Sequence, residues 1–367
     1  MAKRAGIALA AVIGISAAAL SQGKPLTSEV QSIKVTAKEI GSFLKDGTAR
    51  ATYGELAWRG GLELTSETPN FGGWSGLTFD ATGNRFLAIS DAGAWMTGEL
   101  TYNGKKPAGI ASAKIGPIKA RDGKLLSKNR DRDAEAVSLI DGSFDKGSLL
   151  IAFERNDRVG RFDIAKGVPA APSTYLAKPP EAKRLKNEGF EGMTLMRGGP
   201  FKGAIVAIAE NPIKGETEHT GWMWIDGVPK RFTLAGLGDY GVTDAASLPD
   251  GTLLVLERRF RWTEGVKMRL RRIAADRLKP GAVVRGEVLL DADMSFEIDN
   301  MEGLAVRDGE NGETLVTMIS DDNFNHLLQR TVLLEFALAG KKKPKVEPTT
   351  DEPPLANAGP SDAPAAQ

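Results

Sequence analysis

FEGMTLMRGGPFKGAIVAIAENP, residues 190–212, is one copy of a pattern that the chain repeats five times. The other copies are WSGLTFDATGNRFLAISDAG (74–93), AEAVSLIDGSFDKGSLLIAFERN (134–156), TDAASLPDGTLLVLERRF (243–260) and MEGLAVRDGENGETLVTMISDDNF (301–324). Each opens on a polar or acidic residue next to a small one and runs into a short apolar strand. It turns at a glycine and returns along a second apolar strand that ends on an acid. The opening residues are Ser75, Glu135, Glu191, Asp244 and Glu302, separated by 60, 56, 53 and 58 positions. A regular period of this size marks a repeat architecture.

Strand signals continue between the copies: apolar runs of four to eight residues bounded by Gly, Pro, Asn and Asp. Examples are 96–104, 108–118, 158–164, 173–178, 221–227, 229–236, 266–273 and 283–290, with one short helix expected near 275–278. Four antiparallel strands per repeat make one blade, so the fold class is all-β, a β-propeller of five four-stranded blades. The last repeat supplies three strands. GELAWRGGLELT (54–65) is the expected fourth, pairing the chain's two ends in one blade and removing two exposed edges. Six blades remain the alternative if residues 30–65 form more than one strand.

Lys3 and Arg4 precede an uncharged apolar stretch, Ala5–Leu20, and small residues follow, so 1–22 is read as a cleaved export signal. The reading implies a periplasmic or secreted bacterial protein with no integral span after cleavage. Residues 23–49 are a leader, 50–339 the propeller, and 340–367, rich in Pro and Ala, a disordered tail. Charges nearly cancel at a formal +1, without the basic stripe of a nucleic-acid binder. With no cysteine, disulfides and a thiolate nucleophile are excluded. Two histidines, His219 and His326, are too few for a His-rich zinc centre.

The inner strand of each blade starts where the second strand ends, so two sets of acids gather at one mouth of the central channel. The second set is Asp91, Glu154, Glu210, Glu257 and Asp321. Crowded carboxylates repel and raise one another's pKa. A hard divalent cation with oxygen ligands, Ca²⁺ first, relieves this, held by Asp91, Glu154, Asp321, Asp322 and Glu302. Asn323 and Asn325 offer further oxygens. Acids at repeated positions could equally lock blade to blade through backbone amides, a role shared by Glu135, Glu191 and Glu302. The second set varies more in its neighbours and is therefore the functional one. Trp74, beside the mouth, is a candidate ligand-stacking residue, while Trp222 and Trp224 pack between blades. His219 is expected in an exposed loop, and Arg269, Arg271 and Arg272 on a solvated outer surface. Gly73-Trp74-Ser75-Gly76 lacks the G-x-S-x-G spacing of a nucleophile elbow.

NEGFEGMTLM (187–196), VLERRF (255–260), DNMEGLAV (299–306), ISDDNFN (319–325) and QRTVLLEFAL (329–338) resemble the phytase-like domain family, described by its esterase-like activity. The likeness covers most of 50–338 and implies hydrolysis of a small-molecule ester or phosphate ester, calcium-dependent in the sense just given. Under that reading Glu210 or Glu257 takes the proton of an attacking water, and Arg155, Arg258 or Arg259 clamps the phosphate. A non-catalytic binding propeller and a lactonase-type hydrolase are the competing readings, since the fold serves all three.

Overall fold

The computed structural model describes residues 29–80, 83–185, 189–309 and 312–338. The expected signal at 1–22 and tail at 340–367 lie outside the described residues. Five sheets, antiparallel apart from one outer strand, surround a central channel. Their inner strands are Trp74–Phe79, Ala134–Gly142, Phe190–Leu195, Gly241–Ser247 and Met301–Asp308, which define blades 1 to 5. Each touches the inner strand of the blade on either side, and that of blade 5 touches that of blade 1, so the ring is closed at five blades.

The second strand of every blade is covered on both faces, which is why it reads as a continuous apolar run. Alternate residues serve different neighbours, because successive side chains leave opposite faces of a strand. Leu253 and Val255 pack towards blade 3, while Leu254 and Leu256 pack towards blade 5. The apolar core accordingly falls into five clusters, each sandwiched between two successive blades. Trp222 and Trp224 occupy the layer between blades 2 and 3, edge-on to Phe190.

The ring closes as the sequence predicts. Leu56–Thr65 pairs antiparallel with Thr331–Leu338 as the fourth strand of blade 5. Thr36–Ile40 adds a fifth strand outside it, and Gln31–Ser32 edges blade 1. Phe43, in the segment between these strands and residue 50, is fully buried against Tyr53, Trp58 and Phe336.

Three local expectations change. The fourth strand of blade 2 is Val168–Tyr175, reached through a two-residue turn at Lys166-Gly167 with both φ positive, 52° and 76°. That geometry suits the right-handed twist of a hairpin, and it starts the strand several residues before 173. The run 283–290 divides: Val283–Val284 joins blade 3 in parallel, and Glu287–Ala292 completes blade 4, with Gly286 at φ 73° making the break. Residues 275–277 form a turn instead of a helix. Among the described residues no helix is long and apolar enough to cross a membrane.

Asp244 supplies a polar lock between blades. It is buried at the start of blade 4, and its Oδ2 accepts from Leu304 N of blade 5 at 2.7 Å while Oδ1 accepts from Ala245 N at 2.7 Å. Replacing it by alanine leaves two buried amides without acceptors, each costing about 1–3 kcal/mol. Asp244→Ala is therefore expected to lower the unfolding free energy by about 2–5 kcal/mol, read as a fall in urea midpoint at unchanged m-value. A midpoint within error of the parent would remove Asp244 from the locks.

Candidate functional site

All five inner strands carry a β-bulge at the same level, just inside one mouth of the channel. The bulged residues are Ser75, Glu135, Glu191, Thr243 and Glu302. A bulge re-aims a side chain and bends its strand, and here it turns four of these five into the channel mouth. The next residue faces the neighbouring blade and is small where backbones approach. A Cβ on Gly303 would stand 2.6 Å from Ile319 Cγ2 and 3.2 Å from Gly76 C and Leu77 N of blade 1.

The second strands return to the same level. Asp91 N donates to Gly73 O (3.0 Å), Glu154 N to Asp133 O (2.8 Å), Glu210 N to Gly189 O (3.4 Å) and Asp321 N to Asn300 O (2.9 Å). In blade 4 the partner of Gly241 at this level is Arg258. The sequence alignment of blade 4 is thus one residue out of register in both strands. Thr243 and Arg258, not Asp244 and Glu257, hold the repeated positions. A slip of one residue sends a side chain to the opposite face, and both acids indeed point away from the channel. Asp244 sits where the other blades have Gly or Ala and became the lock described above. Glu257 is buried beside Arg271, with Oε1 3.4 Å from Nε.

The mouth encloses a cavity of about 510 Å³ lined by Ser75, Asp91, Asp133, Glu135, Glu154, Arg155, Glu191, Glu210, Arg258, Asn300, Glu302, Asp321 and Asn323. Eight carboxylates therefore face two guanidinium groups. Arg155 adopts a left-handed backbone, φ 56°, and its Nε lies 2.6 Å from Asp133 Oδ2 and 3.7 Å from Glu154 Oε2. Strain of this kind in a non-glycine residue persists where surroundings over-determine it. Arg258 Nη2 lies 3.5 Å from Glu302 Oε1 and 3.9 Å from Glu210 Oε1. Asn300 Nδ2 donates to Glu302 Oε1 at 2.7 Å.

The excess negative charge shows in the acidities. Burial first, then the Asp133 and Glu302 charges, push Asp91 up to about 8. Burial, Asp133 and Glu210 push Glu154 up to about 9. Burial and neighbouring carboxylates hold Glu135, Glu191 and Asp321 well above the usual range. Burial alone would lower the Arg258 pKa, but Glu302, Glu210, Glu191 and Asp321 outweigh it and raise the value.

Two groups of three carboxylates offer oxygens within 4.8 Å of one another: Asp133, Glu135, Glu154 and Glu154, Glu191, Glu210, with Glu154 common to both. The donors are all oxygen, which fits a hard divalent cation and not a soft one. Of the residues expected from sequence, the structure brings together Asp91, Glu154, Glu210, Glu302, Asp321, Arg155 and Arg258. It places four others elsewhere. Trp74 is fully buried beneath the mouth, edge-on to Phe71. Arg259 pairs with Glu264 at 2.6 Å and lies over the Tyr240 ring. Asp322 staples its loop, accepting from Gly73 N, Phe324 N and Thr331 Oγ1. Glu257 is the fourth. His219 is buried on the third strand of blade 3, not in an exposed loop, and Arg271 is fully buried instead of solvated. Sequence reasoning missed Asp133, which ends the short helix Asn129–Arg132 and whose signal was its place two residues before Glu135.

A family model named Phytase-like and described as esterase-like activity of phytase matches residues 69–324. No curated protein matches the chain.

A carboxyl whose folded pKa lies above its unfolded value stabilises the fold most below about pH 4, and that stability is lost as pH rises through the folded pKa. For Asp91 and Glu154 the window therefore runs up to about 8 and about 9. Metal-free protein should lose melting temperature steadily from about pH 6 to about pH 9, and a saturating divalent cation should flatten the trend. Glu154→Gln should raise the metal-free melting temperature at the alkaline end while weakening cation binding. A flat metal-free profile in differential scanning calorimetry would contradict the charge crowding.

Proposed function

The chain belongs to the phytase-like family, and on that premise we propose that the acidic mouth is the active site of an ester hydrolase whose preferred substrate is a phosphate monoester. The observation that carries the reading is the pair Arg155 and Arg258 set into a ring of eight carboxylates. Bare, the ring repels an anionic substrate; with a divalent cation in the Glu154 clusters, the same mouth presents cation and guanidinium groups together.

Asp133, Glu135 and Glu154 are the residues proposed to hold the cation, with Glu191 on the far side of Glu154. Calcium is the proposed ion, and when bound it supplies positive charge that offsets phosphate oxygens and orients water. The apolar stretch Ala5–Leu20 behind Lys3 and Arg4 supports export, to compartments where calcium sites of modest affinity are used.

Arg258 is suited to bind a phosphate oxygen, because its guanidinium faces the cavity within ion-pair distance of Glu302 and Glu210 from two blades. Arg155 is held in a fixed direction by Asp133 in the same way. Planar guanidinium groups match phosphate oxygens bidentately and strongly. Glu210 lies between the cation cluster and Arg258, so its carboxylate is the proposed acceptor of the proton of an attacking water. Neither histidine lines the cavity, which gives no support to the lactonase-type reading.

Assays of p-nitrophenyl phosphate and p-nitrophenyl acetate, with calcium and with chelator, test the proposal. Turnover of the phosphate ester should require the cation. Glu210→Gln should lower kcat by about 10²–10⁴-fold. Arg258→Ala should lower kcat/KM by about 10- to 100-fold, the worth of one charge-assisted hydrogen bond. Calcium binding without turnover of either ester would leave the mouth as the site of a binding propeller.

A further inference from the structure

Asp133 enters the cation cluster from the connection between blades 1 and 2. At the level where each second strand returns, the residue paired with it is Gly73, Asp133, Gly189, Gly241 and Asn300 in blades 1 to 5. Blade 2 alone places a carboxylate there. The chain turns a corner at Asp133, with φ −56° and ψ 77°, between the short helix Asn129–Arg132 and the inner strand Ala134–Gly142. The direction from which the connection arrives therefore sets where this carboxylate points.

The connection has little apolar anchorage. Leu126 packs against an apolar cluster, but Leu125 is 40% exposed and the helix buries no residue. Its hold on the ring is polar. Asn156 Nδ2 donates to Asp131 Oδ1 at 2.9 Å, and Arg158 Nη2 donates to Asp131 O. Arg158 is itself aimed: its guanidinium lies 3.8 Å from the centroid of the Phe153 ring, and Nη1 donates to Asn156 O at 3.0 Å. Residues 154–158 are the turn between the second and third strands of blade 2. The turn that supplies Glu154 to the cluster and Arg155 to the mouth thus also grips the connection that supplies Asp133.

Given the cation site proposed above, on which this rests, we propose that Asn156 and Arg158 are positioning residues that hold Asp133 in the cluster through Asp131, and that cation binding and docking of the 119–132 connection form one linked equilibrium. Groups behind a metal ligand fix its direction, and losing one weakens binding by about 10- to 100-fold. A cation that needs the docked connection favours docking to the same extent, since coupling between two equilibria is reciprocal. One force opposes this sign. Between 119 and 132 the connection carries six basic side chains against two acids, and a bare acidic mouth attracts them more than a filled one. Exposed charges act across solvent and are screened within about 8 Å at physiological salt. The cluster oxygens of Asp133, Glu135 and Glu154 lie within 4.8 Å of one another, so the direct contact outweighs that attraction and the cation docks the connection.

Full-length parent, Asn156→Ala and Asp131→Ala test this by calcium titration calorimetry and by hydrogen exchange, at about physiological salt. The Ala120 and Asp131 amides, bonded to Lys124 O (2.8 Å) and Lys128 O (2.9 Å), report on the connection. In the parent, calcium should slow their exchange by about tenfold relative to chelator. Each variant should weaken calcium binding by about tenfold and shrink that protection. The melting temperature in chelator should stay unchanged, because Asn156 is exposed and Asp131 partly so. Calcium affinity equal to the parent's in both variants overturns the proposal, whether or not they melt earlier in chelator. So does calcium binding by the parent with equal exchange of 119–132 in calcium and chelator, which leaves the cation site standing without the linkage. Failure of the parent to bind calcium removes the cation site and this linkage with it.

Discussion

The repulsion among eight carboxylates in one desolvated mouth is the constraint on which the rest of the molecule depends. Isolated in water each would ionise near pH 4. Where they gather at the mouth from four of the five blades, burial and mutual repulsion push Asp91 up to about 8 and Glu154 up to about 9 and hold Glu135, Glu191 and Asp321 well above the usual range, a cost that a cation would offset. A site of this kind destabilises the fold that carries it, and the cost of holding it together falls on the surrounding packing.

The blades supply that packing in five separate layers. Each second strand is shared between two layers, so no blade can tilt outward without opening apolar surface on both sides. The pairing of Leu56–Thr65 with Thr331–Leu338 ties the two ends of the ring into one sheet. Bulges at one level of all five inner strands then convert this rigid ring into a set of aimed side chains. The fold supplies rigidity, and variation at the ten repeated positions supplies asymmetry: Arg258 stands where four blades have an acid, and Ser75 and Thr243 where three have glutamate.

The architecture was legible because the repeat is written in alternating apolar residues and turn glycines, which do not depend on the ligand site. Blade number, ring closure and the mouth as a meeting place of acids followed from it. Blade 4 was misread for a physical reason. Its sequence, Val242-Thr243-Asp244, offers an acid one place beyond the bulge, and matching acid to acid slid both strands by one residue. Only the backbone pairing reveals that Asp244 replaced a glycine-like position and found amide donors in blade 5. Trp74 and Asp322 were misplaced because proximity in sequence does not show which face of a strand or loop a side chain takes. Arg271 reads as solvated together with Arg269 and Arg272, but alternation on the strand buries it beside Glu257.

Crystals grown with calcium and measured for anomalous scattering at long wavelength test the central claim most directly. The account predicts an ion bound by Asp133, Glu135 and Glu154, and loss of that peak in Glu154→Gln. A mouth that stays free of the ion at millimolar calcium, with its carboxyl groups hydrogen-bonded to one another as neutral acids, would contradict it.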